Sequence, residues 1–220
     1  MTDADVNVRL AKVLADDLTP VRRLVPPGLR VLIWLAVVGV VACALATVSD
    51  VGTLIRRLTV VPEMWLAVTG SILTAVLAAI AAFQLSLPDR KASWALLPLP
   101  AVLLWIGASG VGCLRSWTGA ETYAGPDVHS QNCLFFILGI SLPLSLLLFV
   151  MLRRGFSLRP NLTAIIGGLA CAATAAALLN LFHPYDVAAT DISVHALAVA
   201  IVILANTIFG GRLLTGVSAS

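Results

Sequence analysis

Six long apolar stretches, separated by short polar clusters, dominate the pattern along this chain. They fall near 31–48, 64–85, 96–112, 133–152, 161–182 and 192–209. Each reaches or approaches the roughly 20 residues that carry a helix across hydrocarbon about 30 Å thick. None of them contains Asp, Glu, Lys or Arg. Pro98 and Pro100 lie near the start of the third, a position that the first turn of a helix tolerates. Pro143 lies inside the fourth and predicts a kink there. The fifth is rich in small residues, among them Ala164, Gly167, Gly168, Cys171, Ala172 and Ala175, which suits close helix packing.

A different pattern precedes them. Val6, Leu10, Val13, Leu14, Leu18 and Val21 recur every three or four positions, the period of one helical face, with Asp, Arg and Lys between them. Thr2 or Asp3 is placed to cap this helix. Pro20 kinks it or sets apart Val21-Arg22-Arg23-Leu24, and Pro26-Pro27-Gly28 breaks it before the membrane. Two readings stand side by side: a helix lying on the membrane surface, or one whose apolar face enters a groove on a partner. The expected architecture is an all-α polytopic membrane protein. It comprises an N-terminal segment over 1–29, a six-helix transmembrane domain over 30–212 and a tail over 213–220.

Composition agrees with the pattern. Only 11% of the 220 residues are charged and 60% are hydrophobic, whereas a soluble domain carries about 25% charged residues. That excludes a water-facing globule. Asp3, Asp5, Asp16 and Asp17 also set the opening apart from a secretory signal.

Charge orients the spans. Arg9, Lys12, Arg22, Arg23, Arg30, Arg90, Lys91, Arg153, Arg154, Arg159 and Arg212 fall on one side, eleven in all. Arg56, Arg57 and Arg115 fall on the other. The positive-inside rule then places both termini in the cytoplasm. On that topology the Asn161-Leu162-Thr163 glycosylation pattern faces inward and is discarded.

The same topology gathers the reactive side chains at the outer face. Cys113, His129, Cys133, His183 and His195 all lie at or near it. Cys113 and Cys133 are both expected where a helix meets a loop. A bridge between them would close a loop of about 20 residues, worth ~3 kcal/mol in the chain-entropy model. A permanent staple, a reversible redox or metal switch and two unrelated thiols remain open as readings of the pair. His129 and Cys133 are four apart, so an early start to the fourth helix puts them on one face. Thiolate and imidazole together suit zinc or copper, which makes Cys113, His129 and Cys133 a candidate metal set. The spacing Cys-x15-His-x3-Cys matches no standard zinc pattern. His183 stands in Phe182-His183-Pro184-Tyr185-Asp186, and His195 is expected in the first turn of the sixth span. Cys43 and Cys171 lie inside spans one and five, where a small apolar packing role is expected.

Absences narrow the function. Ion-coupled transport usually needs ionisable groups at mid-membrane, and the spans have none. The chain also lacks a Gly-Lys-Ser/Thr phosphate loop, a Gly-x-Ser-x-Gly elbow and a His-Glu-x-x-His pair.

Several runs taken in order carry a resemblance. They are Asp17-Leu18-Thr19-Pro20-Val21-Arg22-Arg23-Leu24, Trp94-Ala95-Leu96-Leu97-Pro98-Leu99-Pro100, Gly112-Cys113-Leu114-Arg115, and His129-Ser130 with Cys133. Leu158-Arg159-Pro160, Phe182-His183-Pro184-Tyr185-Asp186 and His195 complete it. The chain resembles the NrsF-type family of six-span anti-sigma factors, negative regulators of extracytoplasmic-function sigma factors. The resemblance implies a bacterial inner-membrane protein, not an enzyme, that holds its sigma factor inactive until heavy metal or oxidant acts on two outer cysteines. Here those are Cys113 and Cys133. His129, His183 and His195 are the expected auxiliary sensors, and Leu10, Val13, Leu14, Leu18, Val21, Arg22 and Arg23 the expected partner-binding residues. The partners implied are the sigma factor and the bilayer, with no direct nucleic-acid contact. No resident cofactor is expected beyond a transient zinc or copper ion. A metal- or haem-binding redox membrane protein facing the periplasm is the alternative.

Overall fold

The computed structural model is all-helical and describes residues 3–16, 24–49, 52, 55, 62–118, 128–155, 157–182, 189–210, 212 and 214. Seven α-helices stand among the described residues: α1 Asp3–Asp16, α2 Pro27–Val48, α3 Pro62–Leu85, α4 Leu99–Thr118, α5 Val128–Leu152, α6 Pro160–Phe182 and α7 Ala189–Ala205. A 3-10 turn, Ala92–Leu96, leads into α4, and a π turn, Asn206–Gly210, extends α7.

The helix starts follow local chemistry. Pro26 is extended and Pro27 occupies the first helical position of α2, where a missing N–H costs nothing. The Pro26-Pro27-Gly28 run is thus where α2 begins, and Arg30 becomes part of its first turn. Pro160 opens α6 in the same way. α5 runs through Pro143 without ending.

Among the described residues five helices are long and apolar enough to cross a membrane: α2, α3, α4 with its 3-10 lead, α5 and α6. Where a sixth span is expected over 192–209, α7 and its π turn stand, and their described apolar part, Ala196–Gly210, is shorter. The outward positions are apolar too. Leu103 and Leu146 are more than 60% exposed, the inverse of a water-soluble bundle and the arrangement that lipid favours.

α6 is the centre of the bundle. It packs against α3, α5 and α7, while α3 also packs along α4. In its apolar window 83% of residues are buried, against 11% for α2 at the edge. The small residues explain this. Ala164, Gly167, Gly168, Cys171, Ala172 and Ala175 are all buried and let neighbouring backbones approach. α3 and α4 meet the same way, since a Cβ on Gly70 would lie 2.8 Å from the Trp105 backbone.

One end of the bundle is tied by loop contacts. Ser157 Oγ and Thr163 Oγ1 stand 2.8 Å apart and lie 3.2 and 3.3 Å from the Leu85 carbonyl oxygen, which accepts from one hydroxyl while the other donates to its neighbour. Arg159 Nη1 donates to the Arg90 carbonyl oxygen at 3.3 Å. Gly155 sits so close to Ser86 that an added Cβ would be 2.6 Å from its carbonyl oxygen. Arg30, at the start of α2, stacks over Phe83 near the end of α3. The start of α2, the 85–99 connection and the 152–160 connection therefore share one end, as the charge count requires. Cys133 lies 19 residues before Leu152, about 28 Å along α5 towards the other end.

Candidate functional site

The N-terminal arm leaves the bundle beside that basic end. Every described side chain of α1 is exposed, and so are Leu24 and Val25 ahead of α2. Val6, Leu10, Val13 and Leu14 fall at i, i+4, i+7 and i+8, one helical stripe, and Leu10, Val13 and Leu14 are each more than half exposed. Val8 is exposed as well, off the stripe. Leu18, Val21, Arg22 and Arg23 lie outside the described residues.

At the opposite end, two sequence-based placements change. α4 continues to Thr118, so Cys113 stands more than one turn inside a helix. The run Gly112-Cys113-Leu114-Arg115-Ser116-Trp117-Thr118 has no breaker until Gly119, which explains the extension. α5 begins at Val128, directly after Pro126-Asp127, so Cys133 is likewise inside a helix. Neither cysteine marks a helix–loop junction. His129 and Cys133 occupy positions one turn apart at the start of α5. α7 begins at Ala189, which puts His195 in its second turn. The side chains of these four residues, and His183 altogether, lie outside the described residues.

Helix order adds a constraint that spacing does not contain. Through their described residues α7 packs on both α4 and α5, whereas α4 and α5 make no extensive contact with each other. The helix bearing His195 therefore joins the helix bearing Cys113 to the helix bearing Cys133. The other two cysteines part company. Cys171 is fully buried among α3, α5 and α6, in the packing role expected of it. Cys43 is exposed on α2, so its expected packing role does not hold.

Arg30 is the residue that the apolar pattern concealed. Counted by sequence as a charge ahead of the first span, it is instead 4% exposed, with its guanidinium carbon 5.0 Å from the Phe83 ring centroid. Its Nη1 and Nη2 have no hydrogen-bond partner. The signal was present: Arg30 is four residues before Trp34, on the stripe that faces the bundle.

The fold and the arm define a class, a polytopic helical membrane protein with an exposed amphipathic helix ahead of its first span. The chain belongs to the NrsF family, described as negative regulator of sigma F, whose model matches residues 14–215. Its family function is therefore negative regulation of a sigma factor, a regulatory and not an enzymatic role. No curated protein and no solved structure matches the chain.

Proposed function

We propose that this chain sequesters an extracytoplasmic-function sigma factor at the cytoplasmic face of the inner membrane and releases it when its periplasmic cysteines react. Six spans, with both termini inside, carry the signal outward-in. The observation that carries the reading is the exposed apolar stripe of α1. A stripe of this kind fits a groove on a protein partner, and the family match supplies a sigma factor as that partner.

The sensing half of the proposal assigns Cys113 and Cys133 as the reactive pair, with His129, His183 and His195 as auxiliary groups. The contact of α7 with both α4 and α5 supports a cluster shared among three helices. A zinc or copper ion would draw on thiolate from α4 and α5 and imidazole from α5 and α7. Oxidation would instead join the thiols of α4 and α5 directly, with the two sulfurs at bonding distance. Either event acts about a bilayer away from the arm, so packed helices must shift to transmit it. Taking the bound state from dominant to minor needs roughly 5 kcal/mol of differential affinity, which a disulfide or a metal chelate supplies in order of magnitude.

The deciding experiment is co-purification of the full chain with its sigma factor, before and after exposure to metal or oxidant. Wild type is expected to lose the partner on exposure, and the Cys113→Ser/Cys133→Ser protein to keep it. Release from the double variant at the wild-type dose removes the cysteines from the mechanism.

A further inference from the structure

Two sequence runs that neither the partner contact nor the cysteines use meet at one end of the bundle: Trp94–Pro100 and Leu158-Arg159-Pro160. Arg159 Nη1 donates to the Arg90 carbonyl oxygen at 3.3 Å, a contact between residues 69 apart in the chain. It brings Arg90, Lys91 and Arg159 to one place, and all three are exposed. Asp89 is the only acid in the 85–99 and 152–160 connections, which also carry Arg153 and Arg154. Its carboxylate stands 3.8 Å from Arg90 Nε, with both side chains open to solvent, so the pair is screened. This face keeps an excess of positive charge.

An apolar groove of about 390 Å³ opens directly after Arg90 and Lys91, lined by Ser93, Trp94, Leu96, Leu97 and Pro100. Its volume falls in the range of small-molecule sites, roughly 300–1,000 Å³. It lies where the 3-10 turn Ala92–Leu96 hands over to α4 at Leu99. Trp94 and Leu97 pack against the core and hold one wall in place. Leu96 is 63% exposed at the lip, and Leu158 is 72% exposed next to Arg159. Exposed apolar side chains interleaved with cations, and a half-buried Trp, belong at the boundary of hydrocarbon and headgroups. The depth agrees. The groove occupies the first residues of the Ala92–Val111 span, while α3 ends at Leu85 and α6 begins at Pro160.

We propose that this groove holds an acyl chain of one anionic phospholipid, whose phosphate lies against Arg90, Lys91 and Arg159. A lining continuous with the span suits an acyl chain, and the excess of cations just outside it suits an anionic headgroup. A soluble protein segment would have to enter hydrocarbon to reach the same lining. The bound lipid adds an electrostatic tie between two connections that hydrogen bonds already join. The site does not depend on the sigma-factor reading.

The test uses the full chain in mild detergent, as wild type, Lys91→Gln/Arg159→Gln and Ser93→Phe. Each is titrated with phosphatidylglycerol or phosphatidylcholine and read by native mass spectrometry. Wild type is expected to hold one phosphatidylglycerol, at least tenfold more tightly than phosphatidylcholine. Lys91→Gln/Arg159→Gln should lose most of that preference, since each cation near a headgroup contributes about fivefold. Ser93→Phe keeps every cation, fills the groove and should hold neither lipid. Ser93 is exposed, so this variant keeps the test decisive where loss of the Arg159 hydrogen bond unfolds the double variant. Equal binding of the two lipids by wild type, or unchanged phosphatidylglycerol binding by Ser93→Phe, overturns the proposal. So does wild-type lipid binding in both variants with loss of a co-purifying sigma factor, because the face is then a protein contact.

Discussion

Trp34 of α2 donates its indole N–H to the Leu144 carbonyl oxygen of α5 at 3.5 Å, and both residues are buried. The bond is long, but its place matters. α2 continues from the arm, and α5 carries Cys133 at its far end. Leu144 follows Pro143, whose missing N–H leaves the Gly139 carbonyl without its helical donor. The two helices at either end of the proposed signal path therefore touch where α5 is least constrained by its own backbone.

Trp34→Phe keeps a large ring and removes the donor, a change of about 0.6 kcal/mol for interhelical bonds in membranes. It should leave resting sequestration intact and move the dose of metal or oxidant needed for half-maximal release. A sigma-dependent reporter read across a dose series checks this. An unchanged dose response would mean that α2 and α5 are not coupled through this contact.

Gly70→Val tests the α3–α4 seam. The added Cβ meets Trp105 backbone atoms at 2.8 Å, and backbone cannot swing aside as a side chain can. The helices must separate, at a cost of about 1–3 kcal/mol. Thermal unfolding in detergent should show a lower midpoint. Gly107→Val, on α4 with nothing within 4 Å of its Cβ position, should unfold near wild type.

Much of this fold could be read from the chain because lipid imposes a simple rule: spans must be apolar and helical. The apolar runs near 31–48 and 161–182 correspond to α2 and α6, and the small residues of α6 mark it as the packing centre. What could not be read were the ends. Apolarity stops at Gly112 while the helix runs on to Thr118, because backbone hydrogen bonding continues until a breaker intervenes. Arg30 was hidden for a related reason. A charge count records sign and side but not direction, and helical phase turns Arg30 inward with Trp34. Helix order was also beyond reach, since no spacing rule says that α7 joins α4 to α5.

That order separates metal from oxidation. If a metal ion bridges α4, α5 and α7, His195→Ala should weaken metal-driven release at least tenfold, the usual range for a lost ligand or its support. Release by a thiol oxidant needs only Cys113 and Cys133 and should stay near wild type. Parallel reporter titrations with zinc or copper and with diamide give the comparison. Equal losses under both stimuli would make His195 a packing residue of α7 and not a ligand.

The proposed partner contact straddles the start of the family match. The match begins at residue 14, so Leu14, Leu18, Val21, Arg22 and Arg23 fall within the shared region, and Val6, Leu10 and Val13 precede it. Yet Leu10 and Leu14 stand on one exposed stripe, four residues apart. Burying a Leu is worth about 1.5–3 kcal/mol, so Leu10→Asp/Leu14→Asp should weaken sigma binding by at least a hundredfold. The reporter is then expected to be on without any stimulus and to ignore the state of Cys113 and Cys133. Leu18→Asp/Val21→Asp should do the same if the contact follows the stripe through the matched region. Should the first pair repress normally while the second does not, the partner is held by residues 17–24 alone. α1 is then the surface helix that its charged face also permits, and vesicle binding of a peptide over 1–16 would be its measurable property.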